Sequence, residues 1–159
     1  MTDHQTPSDW ISLLSFPRAI LNAYSGKPPP LRGFLLDTVI LSGNKARLIG
    51  QFGTLPEVAL NRWIQNGKPT APGYIELSEI RKLTISGLPG SGPDDDPMHG
   101  YRVGLPVDFQ LTATGEVFTS VGFGNQPWCR LDGVGSGFEF SAEAVDVSIM
   151  PGRGHSSYI

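Results

Sequence analysis

The densest group of charged side chains is the run Asp94-Asp95-Asp96, which stands between Pro93 and Pro97. Adjacent carboxylates can bind calcium, but an EF-hand loop places its ligands at alternate positions and adds a distal glutamate, and both features are missing here. We therefore predict no metal site in this run. The flanking prolines stiffen the loop, which lowers the cost of ordering it on a partner. Two interpretations stay open: a solvated loop, and an acidic patch that contacts a partner.

The three histidines and the single cysteine form no metal-binding or catalytic motif. His4 and His155 lie near the two ends of the chain, and His99 follows the acidic run. A zinc site needs three or four converging ligands, and Cys129 has no CxxC partner. Because it sits beside Trp128 in an expected strand, Cys129 is interpreted as a small core residue and not as a reactive thiol. No Gly-x-Ser-x-Gly elbow is present, so we predict no catalytic residues.

Two glycine-rich stretches, Gly87–Gly92 and Gly133–Gly137, superficially resemble phosphate-binding loops. Neither has the spacing of a dinucleotide-binding motif, neither precedes an expected helix, and no Gly-Lys-Ser/Thr occurs in the chain. We interpret both stretches as turns and predict no cofactor.

The tryptophans are the best candidates for contact with another protein. Trp10 falls on apolar positions of helical period and is expected in the core. Trp63 and Trp128 follow proline-containing loops, and loop tryptophans are frequent interface anchors. We therefore nominate Trp63 and Trp128, together with the carboxylates of 94–96, as partner-binding residues. Packing against the end of a sheet is the alternative for each tryptophan.

Composition narrows the classes of protein to consider. With 159 residues the chain fits one domain, and 20 Gly, 14 Pro and only 17% charged residues favour many short strands joined by turns. The net charge of −3 and the lack of a basic stripe argue against nucleic acid as a partner. No run of 18 apolar residues and no signal-peptide order occur, so we expect no membrane contact. One unpaired cysteine fits a reducing, cytoplasmic location.

The periodicity changes from helical to strand-like near residue 30. Apolar residues recur at helical spacing over 9–24, with Pro17 as a kink or restart, which predicts an N-terminal helix or helix pair. Alternation then predicts about eight or nine antiparallel strands in a sandwich or strongly curved sheet, a mainly β (α+β) fold. We expect a single β-rich domain over 9–151 with flexible ends at 1–8 and 152–159. The expected strands are 34–42, 45–52, 73–78, 80–87, 107–113, 116–123, 128–131, 138–143 and 145–149.

The order of these features resembles the immunity protein 50 family, one of the families predicted to neutralise bacterial polymorphic toxins. The likeness covers roughly residues 9–151 and consists of hydrophobic and turn positions. The positions that carry it are Trp10, Tyr24-Ser25-Gly26, Pro29-Pro30-Leu31, Leu36, Val39, Leu41, Phe52, Trp63, Ile80, Leu83, Gly87, Phe138 to Ala142 and Val145 to Ile149.

The resemblance implies a non-enzymatic protein that binds its cognate toxin and blocks the toxin's active site or substrate path. It implies no catalytic residues. Opposite charge would steer such an encounter, which is why the acidic run is a contact candidate. The alternative is a small-molecule carrier with an apolar cavity inside the β-rich fold, and an enzyme with dispersed catalytic residues is a third class. The cavity of a carrier would be lined by Phe109, Phe118, Phe123, Phe138 and Phe140.

Overall fold

The computed structural model describes residues 9–56, 64–65, 67–87, 100–120 and 124–152. Of the nominated residues, Trp63 and the carboxylates of 94–96 lie outside these ranges, and Trp128 lies inside them. Strands make up most of the part described, which confirms the prediction of a mainly β chain.

Two short helical segments precede the strands. A 3-10 helix covers Asp9–Leu13, and an α-helix, α1, covers Arg18–Ala23. Pro17 is the N-cap of α1, and because proline has no backbone N–H to donate to the preceding turn, it separates the two segments. The strands are β1 (Phe34–Ser42), β2 (Lys45–Gln51), β3 (Ile64–Gln65), β4 (Lys68–Pro69), β5 (Pro72–Ser86), β6 (Tyr101–Ser120), β7 (Gly124–Gly135) and β8 (Phe138–Pro151).

Six long strands form a single antiparallel sheet in the order β1-β2-β5-β8-β7-β6. Because β6 also pairs with β1, the sheet closes into a barrel. In the part of the chain that the structure describes, the short strands β3 and β4 form a separate two-stranded sheet. The predicted hairpin at Gly43-Asn44 is confirmed: Ser42 pairs with Lys45, and Gly43 has a φ of +60°, which glycine adopts without strain.

The sheet contains six strands and not the eight or nine expected, because three pairs of predicted strands are continuous. The segments predicted at 73–78 and 80–87 belong to β5, and those predicted at 107–113 and 116–123 belong largely to β6. The last two predicted strands together form β8. At each junction the side-chain alternation is interrupted while the strand continues, as a β-bulge allows. The expected helix pair is likewise reduced to a 3-10 turn and one α-helix.

Aromatic side chains fill the inside of the barrel. Phe34 and Phe109 pack edge to face with ring centroids 5.8 Å apart, and Phe109 meets Phe140 at 6.3 Å. In the other direction Phe34 meets Phe52 at 5.4 Å, and Phe52 meets Tyr24 at 5.8 Å. An eight-stranded barrel is just wide enough for its side chains to fill, so a six-stranded barrel is narrower still. The interior is thus a packed core.

The N-terminal segment packs against this core. Trp10 and Ile20 are buried in the same hydrophobic cluster as the inward side chains of the strands. The Ser15 backbone N–H donates to the Val147 carbonyl at 2.9 Å, which attaches the segment to β8. The expectation that Trp10 is a core residue is therefore confirmed.

Candidate protein-binding site on the β6–β7 arm

The hairpin formed by β6 and β7 extends beyond the neighbouring strands. β7 pairs with β8 from Cys129 onward, whereas its earlier residues pair, within the described ranges, with β6 alone. We call residues 114–120 and 124–128 the arm, and the remaining barrel residues the body. The arm carries Trp128, the one nominated residue that the structure describes.

A bulge at the base of the arm presents Trp128. Ala113 pairs with Cys129 and Val117 pairs with Pro127, so three residues of β6 lie opposite Trp128 alone. The Thr114 hydroxyl donates to the Trp128 carbonyl at 2.9 Å and accepts a hydrogen bond from the Glu116 N–H at 3.1 Å. These local bonds hold the extra residues of β6 in place. The hydrogen bond to its backbone carbonyl therefore helps to fix the position of Trp128.

The Trp128 ring forms one layer of a stack on the outer surface of the sheet. Phe118 packs edge to face against it, with ring centroids 5.5 Å apart and an interplanar angle of 84°. The Arg81 guanidinium carbon lies 4.3 Å from the centroid of the indole ring. Both rings are half-buried. This geometry is a cation–π contact on an aromatic pair.

Two carboxylates hold the Arg81 guanidinium over the indole. Its Nη2 donates to Glu116 Oε1, and its Nε donates to Glu143 Oε1 at 2.8 Å. These hydrogen bonds, that to Glu116 first, raise the pKa of Arg81 further above its usual value, although desolvation opposes them. Arg81, which lies in β5, thus binds one carboxylate of the arm, Glu116, and one of the body, Glu143. We call Arg81, Glu116, Phe118, Trp128 and Glu143 the Trp128 cluster.

An irregularity in β5 points Arg81 outward. Ile80 pairs with Ala144 and Lys82 pairs with Glu143, so Arg81 is the extra residue of a bulge in β5. Just before it, Glu79 has a φ of +57°, a conformation that few residues other than glycine adopt. The alternating pattern of the sequence does not reveal such a bulge. Sequence analysis therefore nominated Trp128 but missed Arg81, Phe118 and both carboxylates of the cluster.

A second arginine on the barrel has similar contacts in a buried setting. Arg47 of β2 donates from Nε and Nη2 to Glu76 Oε2, the former at 3.0 Å, and its guanidinium carbon lies 4.7 Å from the centroid of the Tyr74 ring. Only 7% of Arg47 is exposed. Because Arg47 is buried in the body, we assign it a structural role in the sheet and not a role in binding.

Cys129 lies where the arm joins the body. Its side chain is buried, and burial raises the pKa of the thiol above its ordinary value. The interpretation of Cys129 as a core residue is confirmed. Within the ranges that the structure describes, no three His, Cys, Asp or Glu side chains group as metal ligands would.

Comparison with protein-family models, with curated proteins and with solved structures gave no match. None of the helices in the described ranges has the length and apolar character needed to cross a membrane.

Proposed function

We propose that this chain is a non-enzymatic immunity protein that binds a cognate bacterial polymorphic toxin and blocks it in the cytoplasm. The Trp128 cluster is the observation that best supports a binding role. Tryptophan and arginine are the residues most enriched among those that dominate binding energies. Here Trp128 of the arm stacks against Arg81 of β5, Arg81 is bound by two carboxylates, and both side chains are partly exposed. The resemblance to the immunity protein 50 family supports the choice of a toxin as the partner.

The fixed geometry of the cluster favours binding. A long arginine side chain normally loses much rotamer freedom when it is immobilised in an interface. In this chain Glu116 and Glu143 already restrict Arg81, and the Thr114 bonds restrict the backbone at Trp128. A partner that covers the cluster therefore pays less of the ordering cost at association. Trp63, Asp94, Asp95 and Asp96 remain predicted contacts in this proposal.

Capture followed by a protection assay tests the proposal. The tagged chain, expressed in its native host, should retain one large protein with a variable C-terminal toxin domain, identified by mass spectrometry. That toxin domain is then expressed in a susceptible bacterium with and without the chain. We expect growth to be rescued only when the chain is present. Absence of rescue by a well-expressed, folded chain would contradict the proposal.

Substitution of Trp128 locates the site. Trp128→Ala should weaken binding of the captured toxin domain by about 30-fold or more, the ~2 kcal/mol expected of a dominant interface residue. The matched control is Val134→Ala, because Val134 is an exposed residue of β7 that lies outside the cluster. Equal affinities for both variants would remove the cluster from the interface.

Charge reversal tests the acidic run separately. The double variant Asp94→Lys and Asp95→Lys should slow association and weaken its dependence on salt, because the attraction between opposite charges is lost. Unchanged affinity and salt dependence would remove this run from the interface and leave the Trp128 cluster as the candidate.

The carrier alternative stays a prediction of the sequence, and we do not propose it. Among the aromatic residues expected to line a cavity, Phe109 and Phe140 pack against each other. Phe118 lies against Trp128 on the outer surface. No observation on the described residues favours an apolar ligand over these contacts.

A further inference from the structure

At two places on this barrel a guanidinium group lies between a carboxylate and an aromatic ring. Arg47 binds Glu76 and lies over the Tyr74 ring. Arg81 binds two carboxylates and lies over the Trp128 ring. The carboxylate accepts from the donors of the cation and offsets its charge, and the ring attracts the cation electrostatically. A carboxylate beside an aromatic ring is therefore a site for a basic side chain.

Glu116 and Phe118 present these two groups at the surface of the arm. The two residues are two positions apart on β6, and both belong to the Trp128 cluster. Arg81 donates to one oxygen of Glu116, Oε1, whereas a carboxylate offers about four acceptor positions on its two oxygens. The Glu116 side chain is 66% exposed, and Phe118 is half-buried. A side chain of a partner can therefore reach the carboxylate and the ring together.

The charges around the cluster favour a cation at this position. The cluster contains two carboxylates and one guanidinium, so its net charge is −1. On the adjoining outer surface, Lys82 faces Glu143 across the β5–β8 ladder, and Arg130 Nε lies 3.1 Å from Asp132. Of the three carboxylates, Glu116 is the most exposed, at 66% against 18% for Glu143 and 40% for Asp132. Glu116 is thus the carboxylate that a cation of the partner would meet first.

We infer that Glu116 and Phe118 bind a lysine or arginine side chain of the partner. Glu116 accepts from the charged end of that side chain, and Phe118 contacts its aliphatic stem. The carboxylate then bridges Arg81 and the partner's cation, so Glu116 is a contact residue and Glu143 a residue that positions Arg81. This inference rests on the proposed function, in which the partner is a toxin, and it names the chemistry that the toxin presents to the Trp128 cluster.

Two matched substitutions separate contact from positioning. Glu116→Gln and Glu143→Gln each remove one charge that binds Arg81, and each leaves the other carboxylate in place. Glu116→Gln should weaken binding of the captured toxin domain about tenfold and reduce its dependence on salt, because a charge-assisted hydrogen bond to the partner is weakened. Glu143→Gln should weaken binding by about threefold or less and keep the salt dependence. Equal losses would show that both carboxylates act only by holding Arg81, and would overturn the inference.

Glu139→Gln is the control for the loss of a surface carboxylate. Glu139 is exposed and pairs with Val134, six residues along β7 from Trp128 and so roughly 20 Å away from it. This variant should bind the toxin domain as the wild-type chain does. A double-mutant cycle then combines Glu116→Gln with replacement of each exposed Lys or Arg of the toxin domain by Met. One of these residues should show a coupling of about tenfold. Absence of coupling with all of them overturns the inference.

The results distinguish this inference from the proposed function. A chain that captures no toxin and rescues no growth contradicts the proposed function, and the inference falls with it. Binding that Trp128→Ala weakens and Glu116→Gln leaves unchanged contradicts the inference alone, and assigns an apolar contact to the cluster. Circular dichroism and urea denaturation of each variant show whether a loss of binding reflects a loss of folding.

Discussion

The strands β6 and β7 run through both the body and the arm, but they are stabilised differently in the two regions. In the body, β7 has a neighbour on each side, and its inward side chains Cys129 and Leu131 are buried. Among the described residues, β6 and β7 of the arm pair only with each other, and an isolated two-stranded hairpin is marginally stable in water. Local contacts of Thr114 and Arg81 position the side chains of the arm. The core therefore maintains the fold, and the arm is free to present side chains to a partner.

The two arginine sites show the same difference. Arg47 and Arg81 each contact a carboxylate and an aromatic ring. Arg47 is buried, whereas 30% of the Arg81 side chain is exposed and it contacts two carboxylates from different strands. Loss of the Arg47 contacts leaves a buried charge without its partner, which is costly. Loss of an Arg81 contact leaves a charge that water and a second carboxylate still stabilise.

The largest expected difference between the body and the arm is in the stability lost when a phenylalanine of each region is replaced by alanine. Phe34→Ala should lower the free energy of unfolding by about 3–5 kcal/mol, because it removes a fully buried ring and leaves a cavity. Phe118→Ala should cost about 1 kcal/mol or less, the contribution of one half-exposed aromatic pair. Urea denaturation followed by tryptophan fluorescence measures both values. Similar losses would show that the arm is as important to the fold as the body.

A smaller effect is expected when each arginine loses a carboxylate. Glu76→Gln should lower the free energy of unfolding by about 2 kcal/mol, because it weakens two charge-assisted hydrogen bonds to a buried guanidinium. Glu116→Gln should leave stability unchanged within error, since Arg81 is solvated and keeps Glu143. Chemical denaturation at low and high salt measures both variants. A large loss for Glu116→Gln would contradict the assignment of Arg81 to a binding surface.

Among the substitutions in the body, the smallest expected effect at neutral pH concerns Tyr24. Its hydroxyl donates to the Thr54 carbonyl at 2.8 Å, so Tyr24→Phe should cost about 1 kcal/mol. Burial raises the pKa of Tyr24 above the ordinary value of 10.0. The folded state therefore binds the phenolic proton more tightly than the unfolded state, and stability falls as pH rises above 10.0.

Thermal unfolding between neutral pH and pH 11 tests whether stability falls with rising pH because of Tyr24. The wild-type chain should lose stability over the alkaline part of that range, and Tyr24→Phe should lose less. Tyr74→Phe is a matched control, because Tyr74 is only half-buried and its ring lies beside Arg47. An equal alkaline loss in wild type and Tyr24→Phe would show that another group is responsible.

Periodicity in the sequence predicted which residues enter the core but did not predict strand boundaries. Apolar residues recur at every second position in β2 and β8, and those at Ala46, Leu48, Phe138 and Phe140 are buried. Alternation depends only on the two-residue repeat of a strand, so it is visible in the sequence. It fails at Glu79 and at the bulge of 114–116, where the strand continues but the repeat does not. A bulge therefore has the same pattern in sequence as a turn between two strands.

The sequence by itself determined the β-rich class, the hairpin at Gly43-Asn44 and the core positions of Trp10 and Cys129, because these depend on local conformation and hydrophobicity. Only the tertiary structure decided the closure of the sheet, since this requires β6 to find β1 some sixty residues away in the chain. It also decided the Trp128 cluster, whose members come from the four strands β5, β6, β7 and β8. No local pattern specifies which outward side chains meet, because that depends on the register between strands distant in sequence.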